Sequence, residues 1–152
     1  RQHMRKMKVG KVTFTEAYKA VNEYRQKFPQ KAVTFYAQNY PAMGWAVFMA
    51  GGSCPVIPCT DKAFLKDAAA MEVEETNTDE YKKMVKSDIG SIIYSKSGTE
   101  IPVQLSSGKY ALKYIHPASG KIETINKSLK INGLYKLKVP DKKEGIYWFH
   151  KL

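Results

Sequence analysis

Tyr36, Gln38, Asn39 and Tyr40, with Trp45 close behind, form an uncharged cluster of aromatic and amide side chains. Aromatic faces and amides suit rings that carry many hydroxyls, because the amide both donates and accepts while the face covers C–H groups. The same residue types also suit a plainer role, with Tyr36, Tyr40 and Trp45 as core aromatics and Asn39 as a helix cap.

Residues able to break a bond are harder to find. Hydrolysis of a glycosidic bond generally uses two carboxylates facing one sugar. No Asp or Glu lies between Glu23 and Asp61, and Glu72, Glu74 and Glu75 read as a solvated run. Ser53 stands beside Gly51, Gly52 and Cys54, but no His is near and no Gly-x-Ser-x-Gly is present. The glycines trail a predicted helix and no Lys follows them, so this is not a phosphate loop. The three histidines, His3, His116 and His150, are far apart and share no metal-ligand spacing with Cys54 and Cys59. The two cysteines either bridge across a bend at Pro55 and Pro58 or remain small buried thiols. We therefore expect no catalytic residue, no metal and no cofactor in these 152 residues.

Charge is the other compositional signal. The net charge is +11, from 25 basic and 14 acidic residues. It sits at the ends: residues 1–31 carry +7, residues 32–108 carry −3, and residues 109–152 carry +7. Basic ends invite a polyanion partner. Yet 22 of the basic residues are Lys and three are Arg, whereas base readout leans on the Arg fork, so nucleic acid is the weaker reading.

These residues need elements to hold them. Thr13 to Glu16 is a capping-box pattern, and the spacing of Phe14, Ala17, Val21, Tyr24 and Phe28 predicts an amphipathic helix over 14–28, stopped by Pro29. From Ala32 to Thr60, 29 residues carry no charge. Prolines, glycines and amides interrupt that run, which argues against a membrane span. It divides into a strand (Ala32 to Ala37), a helix (Pro41 to Ala50) and a strand (Cys54 to Ile57), followed by a helix from Asp61 to about Met71 capped by Thr60. Alternating helices and apolar strands imply parallel pairing with helical crossovers. Residues 72–87 read as a charged linker. Beyond it the period becomes two, with strands at 90–95, 100–105, 110–115, 121–125, 129–131, 135–139 and 146–151. Turn signals separate them at Ser97-Gly98, Ser107-Gly108, Pro117 to Gly120, Asn132-Gly133 and Asp141 to Gly145. Seven short strands predict an antiparallel β-sandwich over 88–152. Tyr110, Leu112 and Tyr114 share one face, as do Tyr135, Leu137 and Val139, with Lys113, Lys136 and Lys138 opposite. Ile146 to Phe149, bulky in both directions, reads as a central strand.

Tyr36-Ala-Gln-Asn-Tyr-Pro-Ala-Met-Gly-Trp-Ala-Val-Phe-Met-Ala-Gly-Gly-Ser53 resembles the end of the catalytic barrel in secreted polysaccharide-degrading glycoside hydrolases and their Bacteroidetes relatives. Asp88 to Pro102, Gly108 to Leu112, His116 to Lys121 and Gly145 to Phe149 resemble the small β-sandwich that follows such barrels, sometimes labelled collagen-binding. The resemblance implies an α+β chain: the last βα units of a (β/α)₈ barrel over 1–71, a linker over 72–87 and a β-sandwich over 88–152. It implies a secreted, periplasmic or cell-surface protein whose partners are carbohydrate and the remainder of the barrel. Tyr36, Gln38, Asn39 and Tyr40 would then line the sugar-side rim. Such barrels commonly place a catalytic Glu where this chain has Tyr36 to Asn39, so the catalytic pair is expected upstream. The start at Arg1, without an initiating Met, is expected not to be the natural start; no signal peptide is visible behind it, which says little if the true start lies upstream. Two alternatives are a stand-alone module for acidic glycans using Lys113, Lys136 and Lys138, and non-specific nucleic-acid binding through the basic ends.

Overall fold

The computed structural model describes residues 12–35, 41–96, 98–141 and 143–152. Three helices, α1 (Phe14–Lys27), α2 (Pro41–Met49) and α3 (Lys62–Ala70), are followed by six strands: β1 (Glu72–Glu74), β2 (Tyr81–Lys86), β3 (Gly90–Ser95), β4 (Glu100–Ile115), β5 (Ile122–Lys138) and β6 (Gly145–Lys151). The chain is α+β. It divides into two compact units between Val56 and Ile57.

In the first unit the capping box forms as expected. The Thr13 N–H donates to Glu16 Oε2 at 2.8 Å, and the Glu16 N–H donates to Thr13 Oγ1 at 3.3 Å. These bonds hold the Glu16 carboxyl below the usual carboxylate range, the backbone donor being the larger cause. Phe14, Ala17, Tyr18 and Val21 are buried, whereas Tyr24 and Phe28 end the expected stripe in solvent, stacked on each other at 6.3 Å. Helix α2 is apolar on all sides, and its residues from Met43 to Met49 are buried.

Among the described residues the two strands expected around α2 are not seen, Tyr36 and Ala37 lying outside them. Residues 32–35 and 54–57 have no strand structure. Just before the second of these segments, the Ser53 N–H donates to the Val33 carbonyl at 2.7 Å and the Val33 N–H donates to Ser53 Oγ at 3.2 Å. A strand persists through a ladder of such bonds, and among the described residues this pair is not extended into one.

The second unit is one antiparallel sheet in the order β1-β2-β3-β6-β4-β5, not a sandwich of seven short strands. Two misreadings explain the difference. Residues 72–87, expected as a linker, hold β1 and β2. Their period was hidden because Lys82 and Lys83 are buried on opposite faces. Lys82 Nζ bonds the Thr78 carbonyl at 2.8 Å and Asp79 at 3.3 Å, while Lys83 Nζ meets Glu74 and the Pro102 carbonyl. Further along, the signals at Ser107-Gly108 and Asn132-Gly133 do not reverse the chain. They lie opposite one another in a continuous hairpin, the register shifting between Leu105 and Gly108 while Gly133 faces Leu105 with φ of 92°. Ser107 Oγ and Asn132 Oδ1 join the two kinks at 2.6 Å. A coordinated bulge bends both strands without ending them.

The bend folds one arm of the hairpin over the sheet. The arm made of 110–115 and 122–131 continues into β6, whereas among the described residues the arm made of 100–105 and 133–138 pairs with no other strand. Its inner residues Ile101, Val103, Leu105 and Leu137 share a core with Ile93, Tyr110, Leu112, Tyr114, Tyr147 and Phe149. This is the packing of a sandwich obtained from one sheet, as where strands turn corners through bulges. The expected face of Tyr110, Leu112, Tyr114, Leu137 and Val139 is the core face, and Lys136 and Lys138 are exposed.

Strand β6 is central, and Ile146 to Phe149 are buried on both faces. On the face away from this core, Trp148 meets Phe64 of α3 edge-on at 5.4 Å. Asp67, also buried, accepts from Trp148 Nε1 at 2.9 Å, and the same oxygen lies 2.7 Å from His150 Nδ1. Helix α3 starts one residue later than expected: Asp61, not Thr60, is its cap, with Oδ1 accepting from the Phe64 N–H at 2.8 Å. Phe64, Asp67 and Ala68 are buried, and Ala63 is exposed. Upstream of α3, Gly120, with φ of 70°, lies against the backbone of Pro58 and Cys59. Cys54 and Cys59 are unbridged, Cys54 exposed and Cys59 buried. Burial pushes the Cys59 thiol up.

Two substitutions test this packing. A Cβ at Gly145 would stand 2.2 Å from the Tyr114 ring, so Gly145→Ala should destabilise the protein by about 1–3 kcal/mol in denaturant melts. Asp67→Ala strands the buried indole N–H and should lower stability by a similar ~1–3 kcal/mol. Unchanged midpoints would contradict the arrangement around β6.

Candidate functional site

The bend that builds the core also leaves a cleft. It has a volume of about 320 Å³ and is lined by Leu112, Ile125, Tyr135, Leu137, Pro140 and Tyr147, together with Lys136, Lys138 and Lys143. Its walls come from both arms of the hairpin, Ile125 from one and Tyr135 to Lys138 from the other. The loop after β5 supplies Pro140 and Lys143, and β6 supplies Tyr147.

Each functional side chain is positioned by packing. Tyr135 is held edge-on by Phe149 at 5.6 Å, which fixes its ring while leaving it half-buried. Lys143 Nζ rests 4.1 Å from the centre of the Tyr114 ring, a cation–π contact. Tyr114 lies beside Tyr147 at 5.3 Å and donates its hydroxyl to the Glu144 carbonyl at 2.7 Å. Lys136 pairs with Glu100 at 3.0 Å. Among the described residues no carboxylate lines the cleft.

Tyr147 is the unusual member. Its side chain is 1% exposed, and its hydroxyl oxygen is buried without a hydrogen-bond partner. Burial, with a smaller contribution from Tyr114, pushes its pKa up to about 12, so the hydroxyl keeps its proton and can donate. A buried hydroxyl left unpaired costs stability, and such groups are few in folded proteins. The chemistry available here is binding: the hydroxyls of Tyr135 and Tyr147, cations at the rim and an apolar wall.

A second groove lies beside α3, lined by Lys66, Asp67, Ala70, Asp88, Ile89, His150, Lys151 and Leu152. The Asp67–His150 contact has the geometry that orients a catalytic base, but no Ser, Thr or Cys lines this groove. Asp67 instead serves to hold α3 on β6.

Of the residues singled out from sequence, Tyr36, Gln38, Asn39 and Tyr40 lie outside the described residues. Trp45 is a core residue, 1% exposed and edge-on to Phe48. Lys136 and Lys138 come together at the cleft. Lys113 does not join them, because it lies on the opposite face with Nζ 4.2 Å from the Trp148 ring. Tyr147 and Lys143 were missed. The nearest signal was the bulk of Ile146 to Phe149 on both faces, which announces burial but not an unpaired hydroxyl. Among the described residues no group of three or more His, Cys, Asp or Glu is placed to hold a metal, and no helix is long and apolar enough to cross a membrane.

A family model described as a domain of unknown function, DUF6298, matches residues 1–71, stopping immediately before β1. A solved structure titled "Glycoside hydrolase" is similar to this chain at 16% identity, with a TM-score of 0.40, over 52% of this chain and 19% of that one. The chain thus spans about a fifth of that structure's length. No curated protein matches.

Because the Tyr147 hydroxyl makes no bond to lose, Tyr147→Phe should leave the melting midpoint unchanged or raise it, by up to about 1 kcal/mol. A clear loss of stability in a thermal or denaturant melt would show that the hydroxyl is paired.

Proposed function

We propose that this chain is the C-terminal portion of a secreted or periplasmic polysaccharide-degrading protein related to glycoside hydrolases. In this reading the first unit is the closing βα part of a (β/α)₈ barrel, and the sheet is an accessory domain that holds glycan. The observation that carries it is the reciprocal Val33–Ser53 pairing on either side of a wholly apolar, buried α2. A backbone bond that joins the segments before and after a buried helix is what neighbouring parallel strands and their crossover would present, and further strands of a barrel would extend the pairing.

Tyr36, Gln38, Asn39 and Tyr40 immediately follow the first of these segments. That is the carboxyl end, where ligands of parallel α/β folds gather. Their side chains would line the sugar-side rim, and the catalytic carboxylates would come from upstream strands. The cleft of the second unit, with its half-buried Tyr135 and apolar wall, offers a second surface for a sugar chain.

The test has two arms. The reading frame upstream should encode a barrel-length segment with late-strand carboxylates, and the purified chain alone should release no reducing sugar from any polysaccharide. In the complete protein, Tyr36→Ala or Gln38→Ala should raise KM about tenfold, equivalent to ~1.4 kcal/mol. An upstream frame without such a segment, hydrolysis by this chain alone, or unchanged kinetics in both variants would each overturn the reading.

A further inference from the structure

The cleft carries more than a generic sugar surface. Among the described residues three lysines and no carboxylate line it. Lys136 is already paired with Glu100, which leaves Lys138 and Lys143 as the cations facing the cleft without a carboxylate partner among the described residues. Glu123, whose carboxylate feels the charge of Lys143, is bonded by His116 at 2.9 Å and Lys121 at 3.6 Å. Lys143 sits on the Tyr114 ring beside Tyr147, so an ammonium and an unpaired hydroxyl donor belong to the same pocket. Every polar side chain presented here donates. A neutral sugar hydroxyl could satisfy Tyr147, but only an anion also answers the lysines.

Resting on the glycan reading above, we propose that this cleft binds an acidic sugar residue, whose carboxylate or sulfate oxygens are taken by Lys138, Lys143 and the Tyr147 hydroxyl, with the ring against Tyr135 and Ile125. Both sources share one chemistry, an anionic oxygen cluster on a sugar ring. The apolar walls strengthen the contacts because they exclude water around them. Tyr147 is then a binding residue whose unpaired state in the free protein is answered by the ligand.

The test is titration of the whole chain at near-physiological salt with four probes: polygalacturonate, its fully methyl-esterified counterpart, a sulfated galactan, and polyglutamate as a polyanion without sugar. Polygalacturonate or the sulfated galactan should bind most tightly, and the difference between them identifies the acid. Tyr147→Phe should weaken that binding about 5- to 20-fold with the melt intact, and Lys138→Ala and Lys143→Ala should each do likewise. Lys130→Ala, which removes the same charge from an exposed position on the other arm of β5, should change affinity less than about twofold. Equal binding of polyglutamate, or equal effects of Lys130→Ala and Lys138→Ala, would reduce the interaction to net charge and overturn the proposal. Tight binding of the esterified polymer, sensitive to Tyr147→Phe, would overturn the acidic preference and leave the glycan reading standing. Binding of none of the polysaccharides would overturn the proposal together with the accessory-domain reading, while leaving the barrel reading to the upstream sequence.

Discussion

The paired kink in the β4–β5 hairpin is the constraint on which the sheet unit depends. At Ser106 to Gly108 and at Asn132-Gly133 both strands bend together, held by the Ser107–Asn132 contact and by a Gly133 backbone conformation that side chains rarely adopt. Without the bend, the arm containing Ile101, Val103 and Leu137 would leave its apolar face in water, as would the faces of Ile93 and Phe149. With it, one continuous sheet supplies both layers of a core. The cleft is the gap between the two arms, and the buried Tyr147 is one of the residues that line it.

The opposite face is closed by different means. Helix α3 is short and has few large apolar residues, so Phe64 packing on Trp148 is reinforced by a buried charge. Asp67 is tolerated in the interior because Trp148 Nε1 donates to one of its oxygens and His150 Nδ1 lies against the same atom. Positions 148 and 150 point the same way along β6, which is what allows one carboxylate to engage both. A charge buried with such partners ties helix to strand in one register, whereas a purely apolar contact would permit sliding.

Much of this was legible locally. The capping box of α1, the extent of α2, the central place of β6 and the inward faces of Tyr110, Leu112, Tyr114 and Leu137 follow from period and side-chain bulk. What misled was residue chemistry used for an unfamiliar purpose. Gly108 and Gly133 signal chain reversal, but placed opposite each other in paired strands they bend the pair. Lys82 and Lys83 signal solvent, but loop carbonyls and acids at hand allow both to be buried. The segments flanking α2 have strand composition, yet strand structure needs neighbours that the described residues do not supply.

The candidate sites divide along the same line. An uncharged window from Ala32 to Thr60, its aromatic and amide cluster and its want of acids are properties of order along the chain, and the amino-acid sequence determines them outright. The tertiary structure alone decided that Lys113 lies apart from Lys136 and Lys138, that Asp67 meets His150 across 83 positions, and that Tyr147 is buried with its hydroxyl unpaired. Hydrogen-bond satisfaction and charge pairing depend on which surfaces meet after the chain has bent, and nothing in local spacing records that.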